Sequence, residues 1–280
     1  MKTPLLRALG LCALAMPAAA TSAQNLLVPN SDTDQVMLLS AQDGSILDAT
    51  FLDIATPAAD AGLTSSTPVE AIEVGDEIWV TDQLGDRIWR FDRTGGFLGD
   101  IGVDQLNNVR GMEIVGDTVY VAMGTASDTL DEGIVRIDAT TNTVIDVFAG
   151  RPTADISYFD VKLYGGELLV SNIDSGNDGI ERYALDGTFL GFFAQSDGVT
   201  SFDFAQQINL RSGSDNILVA GFSPPSGVYE LRADGTDLGI VAGLDFGPRA
   251  GYELGNGEIL WTNGSFLRTD TTPIAEDGSF

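Results

Sequence analysis

The chain contains no histidine in 280 residues. Ser-His-Asp and Cys-His catalysis both need an imidazole base, so neither is available. The usual zinc sites lose a principal ligand as well. Cysteine occurs once, at Cys12, and lysine twice, at Lys2 and Lys162. Cations are scarce altogether: 14 Lys and Arg face 41 Asp and Glu, for a formal net charge of −27. A surface this negative repels phosphate backbones, which argues against nucleic acid and anionic membranes as partners. No apolar run reaches the ~20 residues that a spanning helix needs. No glycine-rich phosphate loop opens a helix, so nucleotide binding has no support.

The first 23 residues form a unit of their own. Lys2 and Arg7 make a basic start, residues 5–15 an apolar run, and residues 17–23 a small-residue tail. This is the pattern of a secretory signal peptide, with cleavage expected after Ala23, or after Ala20. Its removal takes away Cys12, so the mature chain, 24–280, has no disulfide and is held by core packing. The expected destination is the periplasm or the cell exterior.

The mature chain is written in repeats. The clearest copy, GDEIWVTDQLGDRIWRFDRTGGFLGD at 75–100, holds strand, polar turn, strand, tight turn and the start of another strand. Its EIWV strand recurs as NLLV (25–28), TVYV (118–121), ELLV (167–170), NILV (216–219) and EILW (258–261). The following strand, IWRFD at 88–92, recurs as IVRID (134–138), IERYA (180–184), VYELR (228–232) and FLRTD (266–270). Asp43-Gly44, Gly95-Gly96, Asp186-Gly187 and Asp234-Gly235 supply the positive φ of tight hairpins. A further candidate strand precedes every EIWV-type strand except the first. Four short strands in about 45 residues, repeated six times, predict an all-β chain folded as one β-propeller of six four-stranded blades. No helical period is visible. The first copy lacks an inner strand, and the last runs out at residues 277–280, so the two chain ends are expected to share a blade. Residues 53–68 read as a long loop between the first two blades.

Residues 76–98 resemble the NHL repeat, with its Gly-Asp turn, hydrophobic-Trp-Val-x-Asp strand and Arg-Ile-x-x-Phe-Asp strand. Weaker copies cover most of residues 25–270. The resemblance implies a six-bladed propeller like those of NHL proteins and of the related SMP-30/gluconolactonase-like lactonases. NHL propellers act mostly as binding platforms. Streptogramin lyases and quinone-dependent sugar dehydrogenases, which also use propellers, rely on histidine, so their chemistry is not expected here.

In a propeller the inner strands line an axial channel. The polar residues at their starts are Glu70, Arg110, Asp160, Gln206 and Arg249, with Tyr158 and Tyr252 nearby. These form the expected channel mouth, where a guanidinium would grip carboxylates or sugar oxygens. Asn30, Asp82, Asn172 and Asn263 close successive second strands, a position that suits Asx turn chemistry. The likeness to lactonase propellers implies an alternative, a calcium-type ion held by Glu70, Asp160 and Asn172. Asp174, Asn177 and Asp178 crowd an acidic loop that would suit surface calcium or simply face water, as does the acidic run at 128–132. Ser223-Pro224-Pro225-Ser226 reads as a rigid rim. The expectation is a monomeric binding or scaffold module for a protein or carbohydrate ligand. The alternative is a calcium-dependent lactone or ester hydrolase with Glu70 or Asp160 as base.

Overall fold

The structure, a computed structural model, describes residues 25–149, 156–174, 176–263, 267–269 and 273–275. It is all-β, with six antiparallel sheets. Blade one holds β1 (Asn25–Asn30), β2 (Gln35–Ser40) and β3 (Ile46–Asp53). Blade two holds β4 (Pro68–Val74), β5 (Glu77–Asp82), β6 (Arg87–Asp92) and β7 (Phe97–Ile101). Blade three holds β8 (Val109–Val115), β9 (Thr118–Met123), β10 (Gly133–Asp138) and β11 (Thr143–Ala149). Blade four holds β12 (Tyr158–Tyr164), β13 (Glu167–Asn172), β14 (Gly179–Ala184) and β15 (Phe189–Gln195). Blade five holds β16 (Asp203–Leu210), β17 (Ile217–Ser223), β18 (Gly227–Leu231) and β19 (Asp237–Ala242). Blade six holds β20 (Ala250–Glu253), β21 (Ile259–Thr262), β22 (Leu267–Arg268) and β23 (Pro273–Ala275).

Each blade is a meander, and the reason it needs neighbours is visible in its alternation. In β5, Ile78 packs toward blade one with Val36 and Leu52, whereas Trp79 packs toward blade three with Val121 and Val135. A blade alone would leave both faces wet. The six hydrophobic clusters each straddle one blade-to-blade interface, including that between blade six and blade one, where Met37 and Leu39 meet Leu254, Leu260 and Leu267. Burying a large apolar side chain contributes about 1.5–3 kcal/mol, and Trp79, Trp89 and Phe91 are all fully buried. The ring therefore closes by packing, helped by Gly255 N–H to Ala41 O at 2.8 Å and Asn256 N–H to Gln42 O at 2.9 Å.

One expectation lies outside the described residues and another is corrected. Among the described residues, β23 completes blade six and blade one is built from residues 25–53, while the tail expected to join the two chain ends is not among them. The tail at 277–280, the signal-like segment and parts of the last repeat lie outside the described residues. The long loop also contains a helix, α1 (Ala55–Asp60). Six residues give too few turns for a visible period. Pro57 sits in its first turn, where a missing N–H costs nothing, and Ala58 packs beside Ile54 in the interface of blades one and two. Among the described residues no helix is long and apolar enough to cross a membrane.

Candidate functional site

The inner strands β4, β8, β12, β16 and β20 surround the axis, and four of them carry a β-bulge. The shifts fall between Pro68 and Ala71, Val109 and Met112, Tyr158 and Asp160, and Ala205 and Ile208. A bulge re-aims the residue it contains and frees a backbone N–H from the ladder. Glu70 and Asp160 occupy this place in blades two and four. The Glu70 carboxylate accepts the N–H of Met112 in the next blade. Asp160 Oδ2 accepts the N–H of Ile208, again one blade on, at 2.7 Å, and Oδ1 accepts the N–H of Val161 at 2.8 Å. Behind them, Thr81 and Ser171 hydroxyls accept the N–H groups of Glu70 (3.1 Å) and Asp160 (2.8 Å). In blade three the same position is Gly111. A Cβ there would lie 2.0 Å from Asp160 Oδ1, so the glycine makes room for that carboxylate.

Lys162, the only lysine after residue 2, stands between the acids. Its Nζ is 3.6 Å from Glu70 Oε1 and 3.3 Å from Glu113 Oε2. Burial opposes its charge, but Glu70, Asp160 and Glu113 together outweigh burial and raise its pKa. Three carboxyls around one ammonium cannot all ionise comfortably. Burial, then the Asp160 charge, push Glu70 up to about 8, and burial pushes Asp160 up to about 6. Some 13% of the Glu70 side chain meets the channel, yet protein encloses it on every other side. Lys162 and Glu113 were not singled out in the sequence as channel residues. The signal was there: both lie on inner strands, and Lys162 is two residues beyond Asp160, on the same face.

Glu70 and Lys162 also face a cavity of about 1070 Å³, lined by β1, by residues 67–73, and by Gln207, Arg249, Ala250, Tyr252 and Leu260. Its charged lining residues are Glu70, Glu73, Arg93, Lys162 and Arg249. Glu70 pairs with Lys162, and Glu73 with Arg93 at 3.4 Å. The Arg249 guanidinium lies over the Phe222 ring at 5.1 Å and has no hydrogen bond or ion pair among the described residues. Water reaches it, but the walls strip enough solvent to hold its pKa below the ordinary value.

The remaining expected residues disperse. Arg110 is buried under blades three and four, with its guanidinium bonded to Asn108 Oδ1 (3.0 Å), Ser157 Oγ (3.1 Å) and Tyr158 O (2.9 Å). It also covers the Phe159 ring at 5.3 Å. Burial without a carboxylate partner lowers its pKa to about 10. Tyr158 points away from the mouth, into the core, where its hydroxyl and that of Tyr183 both donate to Glu181 Oε2. Gln206 is buried, and Gln207 faces the channel instead, because the bulge in β16 shifts the alternation by one. Tyr252 lines the cavity.

Asn172 is buried too. Its Oδ1 accepts the N–H groups of Ser157 and Asp174, both at 3.0 Å, and its Nδ2 donates to Glu181 at 3.0 Å. Asp82 does the matching work in blade two for Thr67 N–H and Gly85 N–H, and accepts Trp89 Nε1–H at 3.0 Å. These positions carry the Asx turn chemistry. In the acidic loop, Asp174 Oδ1 accepts Gly176 N–H, whereas Asp178 turns inward and accepts the N–H groups of Phe204 (2.5 Å) and Ala205 (3.3 Å) in β16. Burial, then a hydrogen bond with Asp203, push Asp178 up to about 7. No group of three or more acidic side chains with metal-binding geometry occurs among the described residues.

Comparison with known proteins agrees with this architecture. No protein-family model matches the sequence, and no curated protein matches it significantly. Solved structures do. A chain of the nidogen/laminin complex is 16% identical with a TM-score of 0.65, covering 89% of this chain and 91% of that one. A gluconolactonase from Xanthomonas campestris is 14% identical with a TM-score of 0.63, covering 86% and 80%. A streptogramin B lyase is 14% identical with a TM-score of 0.60, covering 89% and 79%. At such identities the likeness defines the fold alone. The chain is a six-bladed β-propeller, and its neighbours include gluconolactonase-like and streptogramin-lyase propellers.

Proposed function

We propose that this protein is an exported binding module that captures a protein or carbohydrate ligand in the cavity at the channel mouth and does no chemistry of its own. The observation that carries this reading is the charge arrangement of the cavity wall. Among the described residues its charged groups are paired except Arg249, and the same cavity is lined by the apolar surfaces of Leu26, Leu27, Val28, Ile72 and Tyr252. A pocket with apolar walls and one convergent polar group fixes a ligand's orientation without a reactive constellation. The ligand that suits it presents an anionic group to a guanidinium. The acids deeper in the channel already accept backbone N–H groups and face Lys162. A panel of glycans and peptides screened against the mature chain tests this. A selected ligand should bind about tenfold or more weakly to Arg249→Ala and equally well to the surface control Arg232→Ala. Ligands indifferent to Arg249 would refute the reading.

The second reading is a calcium-dependent lactone or ester hydrolase. It draws on Glu70 and Asp160, adjacent buried carboxyls with raised pKa values, a feature common at catalytic sites. The charge that a divalent ion would bring between them is supplied by the Lys162 ammonium, which favours the first reading. Calorimetric calcium titration of chelator-stripped protein separates the two. One-to-one binding abolished by Glu70→Gln would support the hydrolase, and no binding would sink it.

A further inference from the structure

The second strand of a blade is flanked by an inner strand on one edge and a third strand on the other. In β5, β9 and β13 this double pairing buries all but the first residue. β1 occupies the same place in blade one, and its burial is different. Asn25 is exposed, and Leu26, Leu27, Val28 and Pro29 are only half-buried. One edge of β1 pairs with β2, from Asn25 opposite Ser40 to Asn30 opposite Gln35. The other edge has no strand among the described residues and forms the floor of the cavity, between β4 on one side and β20 on the other. Half of the backbone N–H and C=O groups of a strand point along each edge, so an open edge is a template for another strand.

Resting on the binding-module reading above, we infer that this edge takes up an extended segment of a partner polypeptide, which pairs antiparallel with β1 and completes blade one. Strand addition of this kind draws affinity from main-chain hydrogen bonds and specificity from alternate side chains. The repeat specifies the side-chain chemistry. In blades two and four the inner strand carries an acid whose carboxylate accepts a bulge N–H of the following blade, from Met112 and from Ile208. Both donors pair with the valine at the middle of their second strand, Met112 with Val121 and Ile208 with Val219. In β4 the residue at that register is Ala71, opposite Val80, and it lines the cavity. An Asp or Glu on the incoming segment would meet Ala71 N–H, in a cavity whose wall also holds the Arg249 guanidinium, which has no ion pair among the described residues. The occupant is therefore an extended segment of about six residues, apolar at alternate positions, with one carboxylate. Its apolar side chains would cover Leu27, Ile72 and Tyr252.

The test uses the chain from Gln24 to Phe280 and a synthetic peptide with the sequence of residues 67–75, TPVEAIEVG, which is this protein's own acid-bearing inner strand. The expected result is one-to-one binding by fluorescence anisotropy, with hydrogen exchange slowed at the alternate β1 amides that do not face β2. A scrambled peptide should not bind. A peptide with Gln in place of the first Glu, and the Arg249→Ala protein, should each weaken binding about tenfold. Neither change touches a buried group, so folding is not at issue. Three outcomes overturn the inference. One is no peptide binding. Another is β1 amides that exchange as slowly as those of β5 without peptide, which would mean that the chain's own termini cover the edge. The third is a dimer that Leu27→Arg dissociates, which would assign the edge to a second copy. If the peptide fails while a screened ligand still depends on Arg249, strand addition is wrong and the binding-module reading stands. If both fail, the reading itself falls.

Discussion

Lys162 is the residue on which the channel's electrostatics turn. Its ammonium neutralises part of a cluster of three acids, Asp160 buried and Glu70 and Glu113 largely so, and removing one partner of such an ion pair leaves an uncompensated charge. Lys162→Met should destabilise the protein by about 3 kcal/mol, measured by urea unfolding, and by more at pH 8 than at pH 5, because the acids are then ionised without a counter-charge. Glu70→Gln should act in the opposite sense on pH dependence. The folded pKa of Glu70, about 8, lies above its ordinary value of 4.5. Its contribution is therefore intact below about pH 4.5 and is lost as pH climbs toward 8, since the unfolded chain releases that proton sooner. Asp160 adds the same sign between 3.8 and about 6. Glu70→Gln keeps an acceptor for Met112 N–H and should flatten the decline in melting temperature between pH 5 and 8. Asp82 offers a purely structural contrast. It is fully buried and satisfies three donors, from Thr67, Gly85 and Trp89. Asp82→Ala should cost about 3 kcal/mol or more, the penalty for several unsatisfied buried groups, with Asp82→Asn intermediate and a shift in tryptophan fluorescence for both. Asp82 and its repeat partners were legible as turn residues from their recurrence. The encirclement of Lys162 was not, because Glu70, Glu113 and Asp160 come from three blades.

Among the elements, the inner strands depart furthest from simple alternation. A strand read with period two places Gln206 in the channel, but a single extra residue in β16 buries Gln206 and presents Gln207. A bulge leaves little trace in sequence, because it is stabilised by partners in the neighbouring blade, such as Asp160 bonding Ile208 N–H. Tyr158 illustrates the same limit. It was expected at the mouth, and its place at the start of β12 is as read, but its ring serves the interface of blades three and four. Gly111 provides a direct check on how tightly β8 and β12 approach. Gly111→Ala would force its Cβ against Asp160, including the Asp160 Cα at 2.6 Å, which cannot move as a flexible tip could. A loss of about 2 kcal/mol is expected, within the range for overpacking, and thermal melts should show it without any change in the sheet signal by circular dichroism. Gly116→Ala, at a turn with open space, bears only the strain of its positive φ and should cost less.

For the whole molecule the governing facts are ring closure and charge. The chain carries a net charge of −27, so the compact state repels itself, and salt screens that repulsion over about 8 Å at physiological strength. The melting temperature should therefore rise between 0.05 and 0.5 M sodium chloride, the opposite of a fold held by surface ion pairs; a flat or falling trend would refute this. The sequence alone determined the strands, their grouping by four and the count of six, because alternation and Gly-bearing turns are local signals that each blade repeats. It also excluded histidine-dependent chemistry. Tertiary structure decided what those signals cannot carry. It placed a short helix in the first long loop, built the sixth blade from its own residues, and closed the ring by apolar packing between blades six and one. It also gathered Glu70, Glu113, Asp160 and Lys162 around one axis and set Arg249 in the wall of the cavity that β1 lines. The physical reason is the same throughout. A blade is specified by neighbours a few residues apart, whereas the channel is specified by residues about 40 to 180 apart, brought together only when the ring is formed.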